Sequence, residues 1–149
     1  MMQLRPAWDD YFMGVAVAVA ARGDCFRCQV GAVLVEDATH RIIATGYNGS
    51  VPGGPSCLAR ECPRCNDLSI PGGQQYENCI EIHAEDNCMR YAEKWFGNRL
   101  WSDHTLYVTR QPCNQCLPVL LWDLELGSIV YREHVVTGFG LSRWELKRI

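Results

Sequence analysis

The sequence predicts an α/β domain, and three observations lead there. Two apolar runs, Gln29–Glu36 (QVGAVLVE) and Arg41–Tyr47 (RIIATGY), are separated by the polar stretch Asp37–His40, the pattern of an antiparallel hairpin. From Leu106 onward the order is strand, helix, strand, which implies a parallel crossover. Helical segments are interleaved with these strands rather than collected at one end of the chain. In order, the first helix runs from about Pro6 to Arg22. Asp9 and Asp10 sit near its start, where negative charge suits the helix dipole, and Gly23 follows its end. After the hairpin, Asn48–Gln75 is rich in Gly, Pro, Ser and Cys and lacks periodicity. An insert this long, about 50–80, needs a function or a staple, and its thiols supply a staple. A second helix spans Ile82 to about Phe96, with His83 and Glu85 in its first turn. Thr105–Thr109 is a strand, Pro112 opens a helix to about Glu125, Gly127 stops it, and Ser128–Arg132 is the next strand. The last fifteen residues carry no clear pattern.

Bulk properties narrow the function. The 149 residues fit one domain with an ordinary core. Net charge is −3 and no basic stripe is visible, which disfavours a protein that grips long DNA or RNA and favours a small substrate. Val15–Ala21 is apolar but too short to span a bilayer. Nine cysteines, an odd number, without a signal-peptide pattern point to metal ligation rather than a disulfide framework, and to a cytoplasmic location.

Two short runs carry the chemistry: His83-Ala84-Glu85 and Pro112-Cys113-Asn114-Gln115-Cys116. One His and two Cys make a three-ligand zinc site with its fourth position open, the catalytic arrangement. His83, Cys113 and Cys116 come from the starts of two helices, so both N-termini converge on one cation and favour thiolates. Zinc bound there would lower the pKa of a water toward about 7. Glu85, not needed as a ligand, is then placed to carry protons. A lone CxxC is also a redox pair and a lone HxE is also a plain helix start; the combination with the proline and the element order is what is specific. H-x-E…P-C-x-x-C is the signature of zinc-dependent nucleobase deaminases, and the chain resembles them.

The resemblance extends further. Val30-Gly31-Ala32-Val33, Thr45-Gly46-Tyr47-Asn48-Gly49, His83-Ala84-Glu85-x-Asn87, Thr105-Leu106-Tyr107-Val108-Thr109 and Pro112-Cys113-x-x-Cys116 are similar to the deoxycytidylate (dCMP) deaminase family. That resemblance implies a three-layer cytidine deaminase-like fold, a five-stranded mixed sheet flanked by helices, and a homo-oligomer. It implies hydrolytic deamination of a cytosine deoxynucleotide, most simply dCMP to dUMP, with Asn48 and Ala84 lining the nucleotide pocket and a nucleoside triphosphate as a candidate effector. Asn48-Gly49 after a strand is also an ordinary turn. Two stretches depart from the family pattern: Glu133-His134-Val135 stands where a nucleotide-binding tyrosine is usual, and Leu117-Pro118 follows the CxxC.

The resemblance also implies a second, structural zinc held by Cys25, Cys57, Cys62 and Cys79. Four thiolates close a tetrahedral site. Spacing alone favours a different set, the CxxC pairs Cys25/Cys28 and Cys62/Cys65. Cys88 reads as a buried small hydrophobe. His40, His104 and His134 are polar-flanked and read as surface residues, Tyr91 reads as a core aromatic, and the five Trp as packing or subunit-contact residues. Alternatives on the same site are a deaminase of a free base, nucleoside or dCTP, and a tRNA or DNA base deaminase. A non-catalytic zinc-stabilised module is a different class, and the open coordination position with Glu85 argues against it.

Overall fold

Residues 4–72, 74–75, 79–110, 112, 116, 119–131 and 145–148 are described by the computed structural model of the protein. Helix α1 is Trp8–Ala20, strand β1 Gly31–Glu36, β2 Arg41–Tyr47, the one-turn helix α2 Pro63–Asn66, α3 Ala84–Phe96, β3 His104–Val108, β4 Ser128–Tyr131 and β5 Glu145–Arg148. They build one five-stranded sheet of order β2-β1-β3-β4-β5. The pairs β1–β2 and β1–β3 are antiparallel, while β3–β4 and β4–β5 are parallel. The expected hairpin and parallel crossover are both present. The tail, unpatterned in sequence, supplies β5.

Strand β1 is buried from Gly31 to Val35 because helices cover both faces of the sheet. Alternate side chains go to opposite faces. Val33, Val35, Tyr107 and Val130 meet Phe12, Met13 and Ala16 of α1. Ala32, Leu34, Leu106, Val108, Ile129 and Tyr131 meet Ala84, Cys88, Met89 and Ala92 of α3. Each large apolar side chain buried this way contributes roughly 1.5–3 kcal/mol. Two glycines of the recognised stretches have a packing reason. A Cβ on Gly46 would lie 2.4 Å from the Cys88 nitrogen and 2.5 Å from the Ala84 oxygen. One on Gly31 would lie 2.1 Å from the Ala16 oxygen. The backbones of α3 and α1 can approach the sheet only where the side chain is missing.

Several expectations need correction. His104 is not a surface residue; it opens β3, 1% exposed, with its ring edge-on to buried Trp101. Polar neighbours hid the fact that β3 lies inside the sheet, between β1 and β4. Tyr91 is 60% exposed on the outer face of α3 rather than in the core. His40 is exposed as expected and stacks on Trp8. Trp101 is a packing residue, whereas Trp8 and Trp95 are exposed. Cys88 is fully buried, its thiol directed at the Ala44 carbonyl at 3.5 Å. In the segment read as a helix from Pro112, residues Val119–Asp123 form one π-helical turn. Cys113, Leu117-Pro118, Glu133-His134-Val135 and most of that segment's first turns lie outside the described residues.

Candidate active site

The site sits where α3 begins against the ends of β1–β3. His83 is the N-cap residue of α3, with φ −66° and ψ 154°, so it precedes the helix rather than lying in its first turn. Glu85 is in that turn and 4% exposed. The positive end of the helix dipole therefore faces the same space as both side chains. The chain entering α3 is pinned by reciprocal bonds: Gly49 N–H donates to Ile82 O at 3.0 Å and Ile82 N–H to Gly49 O at 2.9 Å. The Asn87 amide donates to Tyr47 O at 2.9 Å and Ile82 O at 3.3 Å, which ties the helix to the end of β2.

Across the sheet edge, Cys116 brings its Sγ to 3.1 Å from His83 Nδ1. His83, Glu85 and Cys116 each place a ligand atom within 4.8 Å of the others. Zinc–nitrogen and zinc–sulfur bonds of about 2.0 and 2.3 Å in a tetrahedron put N and S about 3.6 Å apart, so the pair fits a zinc ion after opening by roughly half an ångström. Glu85 adjoins both groups, which matches a proton carrier beside the metal. The expected third ligand, Cys113, lies outside the described residues.

Two cavities flank His83 and Glu85. One is lined by Val30, Asn48 and Ala84 together with Arg27, Arg64 and Arg110. The other is lined by Asp86, Met89, Cys116, Val119, Leu120 and Leu124. Asn48 lines the first cavity and is also a structural pin. Its Oδ1 accepts from Val30 N–H and its Nδ2 donates to Cys28 O, both at 2.8 Å. Ala84 is buried and lines the same cavity.

Glu81 was not singled out in the sequence. It is 8% exposed, lines both cavities, and neither carboxylate oxygen has a hydrogen-bond partner among the described residues. Burial and the nearby Asp24 charge push its carboxyl up to about 7. The alternation Glu81-x-His83-x-Glu85 was the available signal. Asp24 in turn accepts from Ser56 Oγ at 2.6 Å and from Cys57 N–H at 3.2 Å, which holds the insert against the site.

The insert's thiols gather beside the first cavity. Cys25, Cys57, Cys62 and Cys65 form one buried cluster with Cys79 and Phe26 packed on it. Two groups of three emerge, Cys25/Cys57/Cys65 and Cys62/Cys65/Cys79, with Cys65 common to both. The Cys25–Cys65 and Cys62–Cys79 sulfurs are each 3.8 Å apart, equal to the edge of a tetrahedron with bonds of about 2.3 Å. Burial, opposed and outweighed by the Cys65 and Ile80 backbone N–H groups, leaves Cys62 lowered to about 7, whereas burial pushes Cys79 up to about 12. A thiol set of this spacing fits a closed zinc site. Cys65, the alternative ligand on spacing, sits between the four residues that the resemblance named. Cys28 is not in either group and lies against Arg110 instead.

Comparison with known proteins shows the family. Residues 6–132 match the cytidine and deoxycytidylate deaminase zinc-binding region. The chain belongs to that family. It is 42% identical to the deoxycytidylate deaminase of Mycobacterium phage D29 over 75% of this chain and 84% of that protein. It is 38% identical to the deoxycytidylate deaminase of Schizosaccharomyces pombe over 87% of this chain but only 38% of that longer protein. The fold is shared with the dCMP deaminase of cyanophage S-TIM5, solved with dCMP and dUMP, at a TM-score of 0.70, 20% identity and coverage of 99% of this chain and all of that one. Among the described residues, no helix is long and apolar enough to cross a membrane.

Proposed function

We propose that this chain is a zinc-dependent deaminase converting dCMP to dUMP and ammonia, within pyrimidine nucleotide metabolism. The observation that carries it is the convergence of His83, Glu85 and Cys116 at the start of α3, in a chain related to deoxycytidylate deaminases over most of its length. His83, Cys116 and Cys113 would hold the catalytic zinc. When bound, zinc supplies a Lewis acid that makes water a competent nucleophile at neutral pH. Glu85 takes the proton from that water and delivers it to N3 of the cytosine ring as oxygen adds at C4. It then takes the remaining proton from the oxygen added at C4 and passes it to the amino nitrogen as the C4–N bond breaks, so water and cytosine become uracil and ammonia. Asn48 and Ala84 form the wall against which the nucleotide lies.

The second zinc belongs to the thiol cluster, drawn from Cys25, Cys57, Cys62, Cys65 and Cys79, and has no open position. We take the protein to act as a cytoplasmic homo-oligomer on a free nucleotide, with a nucleoside triphosphate as candidate effector. The acidic balance of the chain supports a small substrate over a polymer. The test is metal content by mass spectrometry with deamination assays on dCMP, dCTP, CMP, deoxycytidine and cytosine. Two zinc ions per chain and fastest turnover of dCMP are expected. Equal turnover of deoxycytidine, or none of dCMP by zinc-loaded protein, overturns the reading.

A further inference from the structure

We propose that the thiol cluster is a redox switch, in which a peroxide joins Cys25 to Cys65 as a disulfide and so releases the zinc that holds the insert. The inference rests on the reading that this cluster binds one zinc ion, and it begins with a count. A closed zinc site takes four thiolates. Among the described residues five thiols stand together: Cys25, Cys57 and Cys65 have their sulfurs within 4.8 Å of one another, and so do Cys62, Cys65 and Cys79. Loss of one thiol leaves a full set of four. A disulfide removes two and leaves three, one short of closure. The cluster therefore tolerates a single loss and is opened by pairing.

Access selects the pair. Cys25 and Cys65 both line the cavity beside His83 and Glu85, so an oxidant little larger than water meets the cluster there. Their sulfurs are 3.8 Å apart and bond after closing by roughly 1.8 Å. Cys62 and Cys79 are as close, but Cys62 does not line that cavity. Cys25 belongs to both ligand sets that the sequence offers, so it meets the oxidant as a thiolate. Its sulfur attacks one peroxide oxygen; an S–O bond forms, the O–O bond breaks and hydroxide leaves. The Cys65 sulfur then attacks the resulting sulfenic acid. The S–S bond forms, the S–O bond breaks, and the oxygen leaves as water, its second proton coming from the Cys65 thiol or from solvent. Two electrons pass from the two sulfurs to the peroxide. The consequence reaches the site through short bonds. Asp24, next to Cys25, donates its N–H to Asn48 O at 2.8 Å, and Asn48 Nδ2 donates to Cys28 O at 2.8 Å. Drawing Cys25 toward Cys65 therefore displaces the segment that holds the Asn48 wall.

The test titrates the zinc-loaded protein with hydrogen peroxide and follows zinc released to a colorimetric chelator, disulfides mapped by peptide mass spectrometry, and turnover of dCMP. Release of one zinc ion per chain together with a Cys25–Cys65 link is expected. In step with it, kcat/KM should fall roughly 10- to 100-fold, the scale for a site wall misplaced by about an ångström. A dithiol with added zinc should reverse all three changes. Cys65→Ser retains four thiols; it should keep two zinc ions and lose zinc to peroxide several-fold more slowly than wild type. A Cys62–Cys79 or Cys113–Cys116 link in place of Cys25–Cys65, zinc release with no link to Cys65, or equal release from wild type and Cys65→Ser overturns the switch. Should Cys65→Ser hold only one zinc ion, the wild-type disulfide map decides: a Cys25–Cys65 link accompanying zinc release supports the switch, and its absence overturns it. Reduced wild type with a single zinc ion instead overturns the underlying reading of a second zinc.

Discussion

The hairpin with α3 and the thiol-rich insert order their chains by different means. In the first, ladders from Gly31↔Tyr47 to Glu36↔Arg41 and a fully buried strand β1 fix the backbone. In the second, one turn of helix, Pro63–Asn66, is the regular structure between Asn48 and His83 among the described residues. Two arginines donating to backbone carbonyls and a knot of sulfurs do the rest. Apolar burial organises a segment whose side chains alternate. A segment of Gly, Pro and Cys has too little to bury and needs cross-links. The site takes one wall from each, so the comparison can be broken from either side.

The largest effect is expected at the shared centre. Glu85→Gln should keep its zinc, measured by mass spectrometry, and lose roughly 10²- to 10⁴-fold in kcat, the range for removal of a positioned proton carrier. Retained turnover would remove the proton-carrier role. Next comes metal removal. A strong chelator should abolish activity and speed proteolytic cleavage within 48–80 by about tenfold or more, while amide exchange in β1 and β3 stays slow. Simultaneous loss of protection in the sheet would show that the two regions are one cooperative unit.

On the framework side, Gly46→Ala places a methyl where the backbone of α3 lies. It should cost about 1–3 kcal/mol in urea unfolding and lower kcat as His83 and Glu85 shift. Gly14→Ala, in the interior of α1 with nothing within 4 Å of the added carbon, should instead gain about 0.5–1 kcal/mol. The smallest effect concerns His104. Burial, with the Arg99 charge adding to it, lowers its pKa. The unfolded chain therefore binds a proton near pH 6.5 that the folded one refuses, and stability falls as pH drops below that value. Between pH 7.5 and 5.5, wild type should lose more stability than His104→Phe, by a few tenths to about 1 kcal/mol. Equal losses would mean that His104 is protonated in the fold.

Local signals made much of this readable beforehand. Apolar runs and the polar breaks between them bound β1, β2 and β3 to within two residues, and helix chemistry did the same for α1 and α3. The spacing His83-x-Glu85 sufficed to put both at the start of α3. Other features depend on what packs nearby. His104 looks exposed among polar neighbours until β3 proves to lie inside the sheet. Glu81 looks like any carboxylate until two cavities and Asp24 close around it.

The sequence by itself placed His83 and Glu85 together at the start of α3, since two residue types at a short fixed spacing are delivered together by one helix start. It also determined the hairpin and the crossover, because apolar runs split by a polar turn and a strand–helix–strand order are written along the chain. Only the tertiary structure decided which thiols stand together, with Cys65 between two pairs, and that Glu81 is buried close to Asp24. Both are contacts between segments tens of residues apart, and no spacing along the chain encodes a distance across the fold.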